Sequence, residues 1–81
     1  MISETELKRV KIGFKEVLKL IAEGRAERVI VADDCEDKIK GPVSDACAKT
    51  GIHIEYVPTM RSLGKTCGID IGASCAAVAK L

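Results

Sequence analysis

The sequence predicts an α/β fold, specifically a three-layer α/β/α sandwich with a small mixed central sheet. Segments with strand character alternate with segments of helical periodicity, and turn-forming residues separate them. The run Val29-Ile30-Val31-Ala32 is continuously apolar and mostly β-branched, which is typical of a strand covered on both faces. The chain has 81 residues, a length that fits one domain spanning residues 1–81.

Helices and strands can be assigned along the whole chain. Helices are predicted over residues 3–9, 14–23, 40–50 and 59–67, and strands over 10–12, 27–32, 52–57 and 75–80. Ser3 and Glu6 have the spacing of a capping box, and Thr59 is placed to cap the last helix. The second helix repeats apolar residues at helical spacing: Phe14, Val17, Leu18 and Ile21. Gly41-Pro42 fits the first turn of the third helix, after an acidic turn over 33–37.

Composition and charge exclude several classes of function. Lys and Arg number 13 against 12 Asp and Glu, and the net charge of +1 does not favour non-specific coating of nucleic acid. Aromatic residues make up 2% of the chain, which disfavours a stacking platform for single-stranded nucleic acid. Residues 8–19 nevertheless carry five basic residues against Glu16 alone, a local charge of +4. The sequence shows no signal peptide and no bilayer-spanning apolar run, which predicts a cytoplasmic location.

Four cysteines allow a disulfide scaffold or a metal site to be considered. They are Cys35, Cys47, Cys67 and Cys75. Metal ligands usually include a closely spaced pair, which is absent here, and His53 lies apart from all four. In a cytoplasmic chain we expect reduced and mostly buried thiols, with a redox or zinc role as the alternative.

Other local patterns resemble functional motifs only in part. The acidic residues Asp33, Asp34, Glu36 and Asp37 could bind a divalent cation, but the EF-hand pattern is absent, and a turn that caps the next helix is favoured. Gly64-Lys65-Thr66 resembles the end of a phosphate-binding loop, but it lies inside a predicted helix and the required preceding glycine is missing. No nucleophile, base and orienting residue form one local signature, so we do not expect an enzyme.

The segment 13–19 starts a helix immediately after a glycine. Gly13 lets another backbone approach closely, and the first helical turn presents free N–H groups and the positive dipole end to an anion. Lys15 and Lys19 are i, i+4 neighbours, and Glu16 shares their polar ridge. Lysine donates to guanine carbonyls and a carboxylate accepts from amino groups, so this ridge could read base edges. The alternative is an ordinary solvated face with a Glu16–Lys19 ion pair.

The isoleucine loop, residues 68–74, carries two apolar residues in a short segment bounded by glycines. Ile69 and Ile71 are poor turn formers, so they either pack into the core or present an apolar surface to a partner. The sequence alone leaves these two alternatives balanced.

Several motifs, taken in order along the chain, resemble a known family. They are Gly13-x-Lys15-Glu16-x-x-Lys19, Val31-Ala32-Asp33-Asp34, Val57-Pro58, Leu63-Gly64-Lys65-x-Cys67-Gly68 and Ile69-Asp70-Ile71-Gly72-Ala73. Over about residues 10–81 the sequence resembles the L7Ae-type kink-turn-binding ribosomal proteins, in particular their small bacterial YbxF-like branch. The resemblance implies an α/β/α sandwich that binds a kink-turn. This is a sharply bent RNA duplex whose bulge adjoins tandem sheared G·A pairs.

The resemblance also implies which residues contact RNA. They are Gly13, Phe14, Lys15, Glu16, Lys19, Glu36, Ile39, Arg61, Lys65, Ile69, Asp70 and Ile71. The helix start would meet the sheared guanines and nearby phosphates, the isoleucine loop would pack on bulge bases, and the remainder would lie near the extruded nucleotide. Three positions depart from common family residues: Phe14 replaces a hydroxyl residue, Lys15 an Asn, and Met60 a Lys.

Taken together, the residues and the resemblance predict a non-enzymatic protein that recognises and stabilises kink-turn RNA. We expect a monomer with no cofactor, no metal and no membrane partner, and association with the ribosome is left open. The alternatives are a protein-interaction module that uses the Ile69/Ile71 loop and a small thiol-redox enzyme. Ribosomal RNA, a riboswitch and a guide RNA all stay open as the target.

Overall fold

Helices and strands alternate along the chain, as the sequence pattern predicts. A computed structural model describes residues 2–81. The elements in this range are α1 (Glu4–Leu7), β1 (Val10–Ile12), α2 (Phe14–Ala22), β2 (Ala26–Ala32), α3 (Asp37–Thr50), β3 (His53–Val57), α4 (Met60–Thr66) and β4 (Cys75–Ala79). The predicted capping box of Ser3 and Glu6 is present at α1, and the Thr59 hydroxyl accepts from the Ser62 N–H at the start of α4.

The four strands form one mixed sheet in the order β1-β4-β2-β3. β4 is antiparallel to both of its neighbours, while β2 and β3 are parallel. Strands β1, β2 and β3 therefore all point the same way. We call the edge where they end and β4 begins the carboxyl end of the sheet. It comprises the residues that follow Ile12, Ala32 and Val57 and those that precede Cys75.

Helices cover both faces of this sheet and complete the predicted three-layer sandwich. α2 and α3 pack against each other on one face, while α4 packs on the central strands from the other face. Every residue of β4 is buried, as is the run from Val29 to Ala32. Consecutive strand residues point to opposite faces, so burial of all four residues from Val29 to Ala32 requires cover on both sides and confirms the interpretation of this run in β2.

Helix α2 buries a wider stripe than its predicted apolar positions. Val17 and Ile21 are buried as expected, but Leu20 is buried too, while Leu18 is half-buried against the core. Because α2 contacts both the sheet and α3, apolar side chains are needed over a broader arc than one packing partner requires.

Helix α3 begins three residues before the predicted start. Asp37 lies in its first turn, so the acidic turn ends one residue earlier than expected, at Glu36. Gly41 and Pro42 consequently lie inside the helix and not in its first turn, which corrects the sequence-based placement. Pro42 has no N–H to donate to the carbonyl of Lys38, and both residues lie on the exposed side of the helix.

Two arginines, Arg9 and Arg28, lie at the end of the sheet opposite the carboxyl end. Helix α1 stops at Leu7, and Arg9 donates to the carbonyl oxygen of Ala79 at 2.9 Å. Arg28 donates to the carboxylates of Glu6, at 2.8 Å, and Glu55. The Arg28–Glu6 contact joins α1 to the sheet. Both guanidinium groups thus bind partners within the protein.

Gly64 is the closest point between α4 and the isoleucine loop. A Cβ at this position would clash with the backbone carbonyl oxygen of Ile71, and it would also lie 3.2 Å from the Cα of Gly72. Both obstacles belong to backbone, so neither can move aside by a change of rotamer. Only glycine lets the helix and the loop pack at this distance.

We expect Gly64→Ala to destabilise the fold by about 1–3 kcal/mol, because the added methyl forces the helix and loop apart. Chemical denaturation measures the loss. Gly41→Ala is the matched control, since nothing lies within 4 Å of a Cβ there. Its helix-propensity gain and the restriction before Pro42 oppose each other, so its change should stay within about 1 kcal/mol. Equal losses in the two variants would contradict the packing argument.

Candidate nucleic-acid interface

The start of α2 is an uncapped helix terminus held in an unusual backbone conformation. Gly13 has φ 107° and ψ 155°, a region that is open essentially to glycine alone. Among residues 2–81, no side chain forms a capping hydrogen bond with this terminus. The first helical bond runs from Val17 to the Gly13 carbonyl, at 3.0 Å, so the N–H groups of residues 14–16 precede the helical ladder. A Cβ at Gly13 would meet nothing within 4 Å, so the space beside this backbone is open.

The polar ridge of α2 is exposed. Lys15, Glu16 and Lys19 are all exposed, and within residues 2–81 none of them takes part in an ion pair. The Glu16–Lys19 pair offered as an alternative is thus not formed. Two ammonium groups and one carboxylate remain available to a ligand. Phe14, which the resemblance places among the RNA contacts, is half-buried and packs against the core.

The isoleucine loop divides its two apolar side chains between the core and the solvent. Ile69 is half-buried against the core, and its N–H donates to the Gly64 carbonyl at 3.0 Å. Ile71 is 74% exposed, the largest exposure of any large apolar side chain in residues 2–80. Ile69 therefore packs toward the core, as the first alternative has it, while Ile71 is exposed, as the second alternative requires.

The pairing of β1 with β4 brings the α2 start and the isoleucine loop together, and a backbone bond at the end of this ladder joins them directly. The N–H of Gly13 donates to the carbonyl oxygen of Cys75 at 3.0 Å, and Cys75 directly follows the loop. Ser74, the last loop residue, accepts a bond from the N–H of Ala32 at 2.9 Å. The helix tip and the loop thus lie side by side at the carboxyl end of the sheet. Both leave side chains exposed, as the functional interpretation requires.

Two further helix starts border the same end of the sheet. Glu36 is exposed at the start of α3, where its carboxylate lies 3.3 Å from the Lys38 ammonium, and Ile39 is half-buried against the core. Arg61 lies in the first turn of α4 and Lys65 one turn later, and within residues 2–81 neither forms an ion pair. Topology therefore places the starts of α2, α3 and α4 and the isoleucine loop at one end of the sheet, whereas Lys19 and Lys65 lie further along, in the last turns of their short helices.

A shallow hollow of about 170 Å³ lies between α4 and the isoleucine loop. It is lined by Arg61, Lys65, Ile69, Asp70, Ile71 and Gly72. Two cationic side chains and one carboxylate therefore face a space that also has apolar walls. Such a lining suits a ligand that combines negative charge with flat apolar surface.

Residues 3–80 match the Ribosomal protein L7Ae/L30e/S12e/Gadd45 family. The chain belongs to this family. The match covers the α2 start, the isoleucine loop and all the strands between them, so it confirms the resemblance drawn from the motifs.

Curated relatives in this family include small bacterial proteins of similar length. An RNA-binding protein of Caldanaerobacter subterraneus subsp. tengcongensis is 39% identical over 77 residues, covering 95% of this chain and 93% of that protein. The RNA-binding protein YbxF of Geobacillus stearothermophilus is 34% identical over 70 residues, covering 86% and 85%. The large ribosomal subunit protein eL8 of Nitrosopumilus maritimus is 32% identical over 71 residues, which cover 86% of this chain and 56% of that protein.

Solved structures have the same fold. The 15.5kD RNA binding protein of Giardia lamblia matches with a TM-score of 0.80 at 30% identity, covering 93% of this chain and 63% of that one. A protein of unknown function from Bacillus halodurans matches with a TM-score of 0.81 at 22% identity, covering 88% and 71%, and supports the fold alone.

Within this L7Ae-family fold, the acidic turn does not cap the helix that follows it. Glu36 occupies the cap position of α3 without a side-chain capping bond. Asp34 instead accepts from the N–H of Met60 at 2.8 Å, at the start of α4, while Asp33 lies 3.6 Å from the Lys40 ammonium. The sequence predicts an acidic turn, but no local pattern indicates that Asp34 bonds to Met60, which lies 26 residues further along the chain.

Within residues 2–81, no group of three or more His, Cys, Asp and Glu side chains is arranged to hold a metal ion.

The cysteines are free thiols, as expected. Cys35, Cys47 and Cys75 are buried, and Cys67 is half-buried. Burial raises the pKa of all four thiols, because the thiolate loses hydration in the core. The raised pKa disfavours the nucleophilic thiolate form of each cysteine. Within residues 2–81, no helix is both long and apolar enough to cross a bilayer.

We expect Gly13→Ala to cost about 1–3 kcal/mol of unfolding free energy, because a Cβ is strongly disfavoured at its backbone angles. Chemical denaturation provides the measurement. Gly24→Ala is the control: Gly24 also has positive φ, at 69°, and open space around it. That conformation is ordinary left-handed helix, so the control should lose only about 1 kcal/mol. A loss at Gly13 no larger than at Gly24 would show that its conformation is not constraining.

Proposed function

We propose that this protein binds structured RNA that contains a kink-turn, and that it acts by binding and not by catalysis. Its relatives in Caldanaerobacter, Geobacillus and Giardia carry RNA binding in their names. The kink-turn is what the motif resemblance implies. The proposal takes the protein as a cytoplasmic monomer, and ribosomal RNA, a riboswitch and a guide RNA are all compatible targets.

The observation that carries the proposal is the bond between Gly13 and Cys75. It brings the uncapped start of α2 next to the end of the isoleucine loop. The proposal takes these two segments as parts of one continuous surface. A kink-turn presents sheared base pairs and a bulge within a short distance of each other. A surface with a polar ridge next to an apolar loop can contact both features at once.

The α2 ridge supplies the polar contacts. Ordinary A-form RNA has a deep, narrow major groove that side chains do not enter, whereas sheared pairs at a sharp bend open that edge. Lys15 and Lys19 would donate to guanine acceptors or phosphates, and Glu16 would accept from an amino group. The N–H groups at the start of α2 would add donors for a phosphate.

The isoleucine loop and the α4 start supply the remaining contacts. Ile71 would pack on unstacked bases of the bulge, with Ile69 holding the loop to the core. Arg61, Lys65 and Asp70, around the hollow, would meet a nucleotide and its phosphate. Glu36 and Ile39 would border the extruded nucleotide.

Binding of this kind stabilises the bent RNA by preference for one state. A ligand shifts a two-state equilibrium only by its difference in affinity for the two states. A free kink-turn brings phosphates close together, and unpaired cations on the protein lower that repulsion. In this proposal Lys15, Lys19, Arg61 and Lys65 would supply the positive charge.

Titration of the protein with a kink-turn duplex, and with a control duplex in which Watson–Crick pairs replace the sheared G·A pairs, tests the proposal. Two salt concentrations separate the phosphate contribution from base recognition. We expect specific binding to the kink-turn duplex and only weak, strongly salt-dependent binding to the control. Equal affinity for the two duplexes would refute recognition of a kink-turn.

We expect Lys19→Ala to weaken kink-turn binding by about 1–2 kcal/mol and to reduce the salt slope by about one charge. Lys49→Ala serves as the control. Lys49 is exposed in the last turn of α3, about 18 Å along the helix from its first residue. The control should match the unmodified protein in both affinity and slope. An unchanged slope in the Lys19 variant would remove this residue from the interface.

A protein-interaction module is the second candidate, because Ile71 is 74% exposed and could anchor a protein partner. Ile71→Asp separates the two functions without a large effect on folding, since the side chain is mostly in solvent. Kink-turn binding predicts that this variant loses RNA affinity. If RNA affinity is retained while a protein contact is lost, the loop serves a protein partner.

A further inference from the structure

Asp34 is an exposed carboxylate at the carboxyl end of the sheet, where the proposed ligand is itself negatively charged. Within residues 2–81 it makes no ion pair. Its Oδ1 atom accepts from the backbone N–H of Met60 at 2.8 Å. A carboxylate close to the proposed RNA-binding surface repels phosphate. The role of Asp34 there therefore lies in its hydrogen bond to Met60 and not in its charge.

The backbone of Met60 also holds the isoleucine loop. Its carbonyl oxygen accepts from the N–H of Ala73 at 3.0 Å. A Cβ at Gly72 would lie 3.3 Å from the Met60 Cβ, so loop and helix start are in close contact. Met60 is therefore held by Asp34 on its N–H side and by the loop on its carbonyl side.

The other contacts of α4 extend this connection toward Ile71. Gly64 packs directly on the Ile71 carbonyl, and its own carbonyl accepts from the N–H of Ile69 at 3.0 Å. The conformation of the isoleucine loop thus follows the position of α4. Asp34, two residues after β2, links the first residue of α4 to the sheet.

We infer that Asp34 is a positioning residue for RNA binding: through the Met60 backbone it fixes the isoleucine loop so that Ile71 meets the RNA. This inference rests on the proposed function. It assigns Asp34 no contact with RNA, and it predicts that the hydrogen-bond acceptor matters while the negative charge does not help.

Two substitutions separate the acceptor from the charge. Asp34→Asn keeps an oxygen acceptor and removes the charge, so we expect kink-turn affinity equal to or tighter than that of the unmodified protein. Asp34→Ala removes both, and we expect roughly tenfold weaker binding. Asp34→Glu keeps the charge but displaces the acceptor by one methylene, and it should also weaken binding. Asp33→Ala, on the neighbouring carboxylate, is the matched control and should show no loss.

Amide hydrogen exchange gives a second readout that needs no RNA. In Asp34→Ala and Asp34→Glu we expect faster exchange at Ala73, whose N–H bonds to Met60, and unchanged exchange at Ala77 inside β4. Asp34→Asn should leave Ala73 protected. A residue that only contributed to global stability would shift both amides together.

The two readouts also distinguish failure of this inference from failure of the proposed function. Suppose that the unmodified protein discriminates kink-turn from control RNA. If Asp34→Ala, Asp34→Asn and Asp34→Glu then have the same kink-turn affinity as one another, the positioning role is overturned. If the unmodified protein does not discriminate, the proposed function fails. Exchange at Ala73 then still decides whether Asp34 fixes the loop, and unchanged exchange overturns that claim.

Discussion

Insertion of β4 between β1 and β2 determines where every proposed contact lies. The antiparallel pairing places the first residue of β4 beside the end of β1, and the chain leaves β1 directly into α2 through Gly13. The N–H of Gly13 and the carbonyl of Cys75 then close the gap at 3.0 Å. Because β2 and β3 end at the same edge, the starts of α3 and α4 gather there as well. The candidate interface is thus a consequence of strand order, and the individual loops contribute side chains to it.

Local sequence patterns predicted the elements well, and contacts between distant segments account for what they missed. The capping box at Ser3, the Thr59 cap and the buried strand β2 are each encoded within a few residues. The start of α3 was misplaced because Pro42 suggested a first turn, although exposure makes it tolerable inside the helix. Leu20 was missed because two packing partners widen the apolar face of α2.

The candidate site was predictable in composition but not in arrangement. The motifs identified the α2 ridge and the isoleucine loop, and in the structure the start of α2 is adjacent to the end of this loop. No periodicity distinguishes the half-buried Ile69 from the exposed Ile71, since their exposure depends on how the loop packs on Gly64. The bond from Met60 to Asp34 joins residues 26 positions apart, so a single sequence carries no local sign of it. The net charge of +1 does not show how the cations are used: Arg9 and Arg28 contact groups within the protein, while Lys15, Lys19, Arg61 and Lys65 form no ion pair within residues 2–81.

Mapping of backbone amide shifts by nuclear magnetic resonance, during titration with kink-turn RNA, tests the central claim most directly. If the α2 start and the isoleucine loop form one RNA-binding surface, the amides of residues 13–19 and 69–73 should shift together at the same RNA concentrations. Amides at the opposite end of the sheet, such as those of His53 and Arg28, should stay unchanged. Shifts confined to one of the two segments, or centred on the opposite end, would contradict the account.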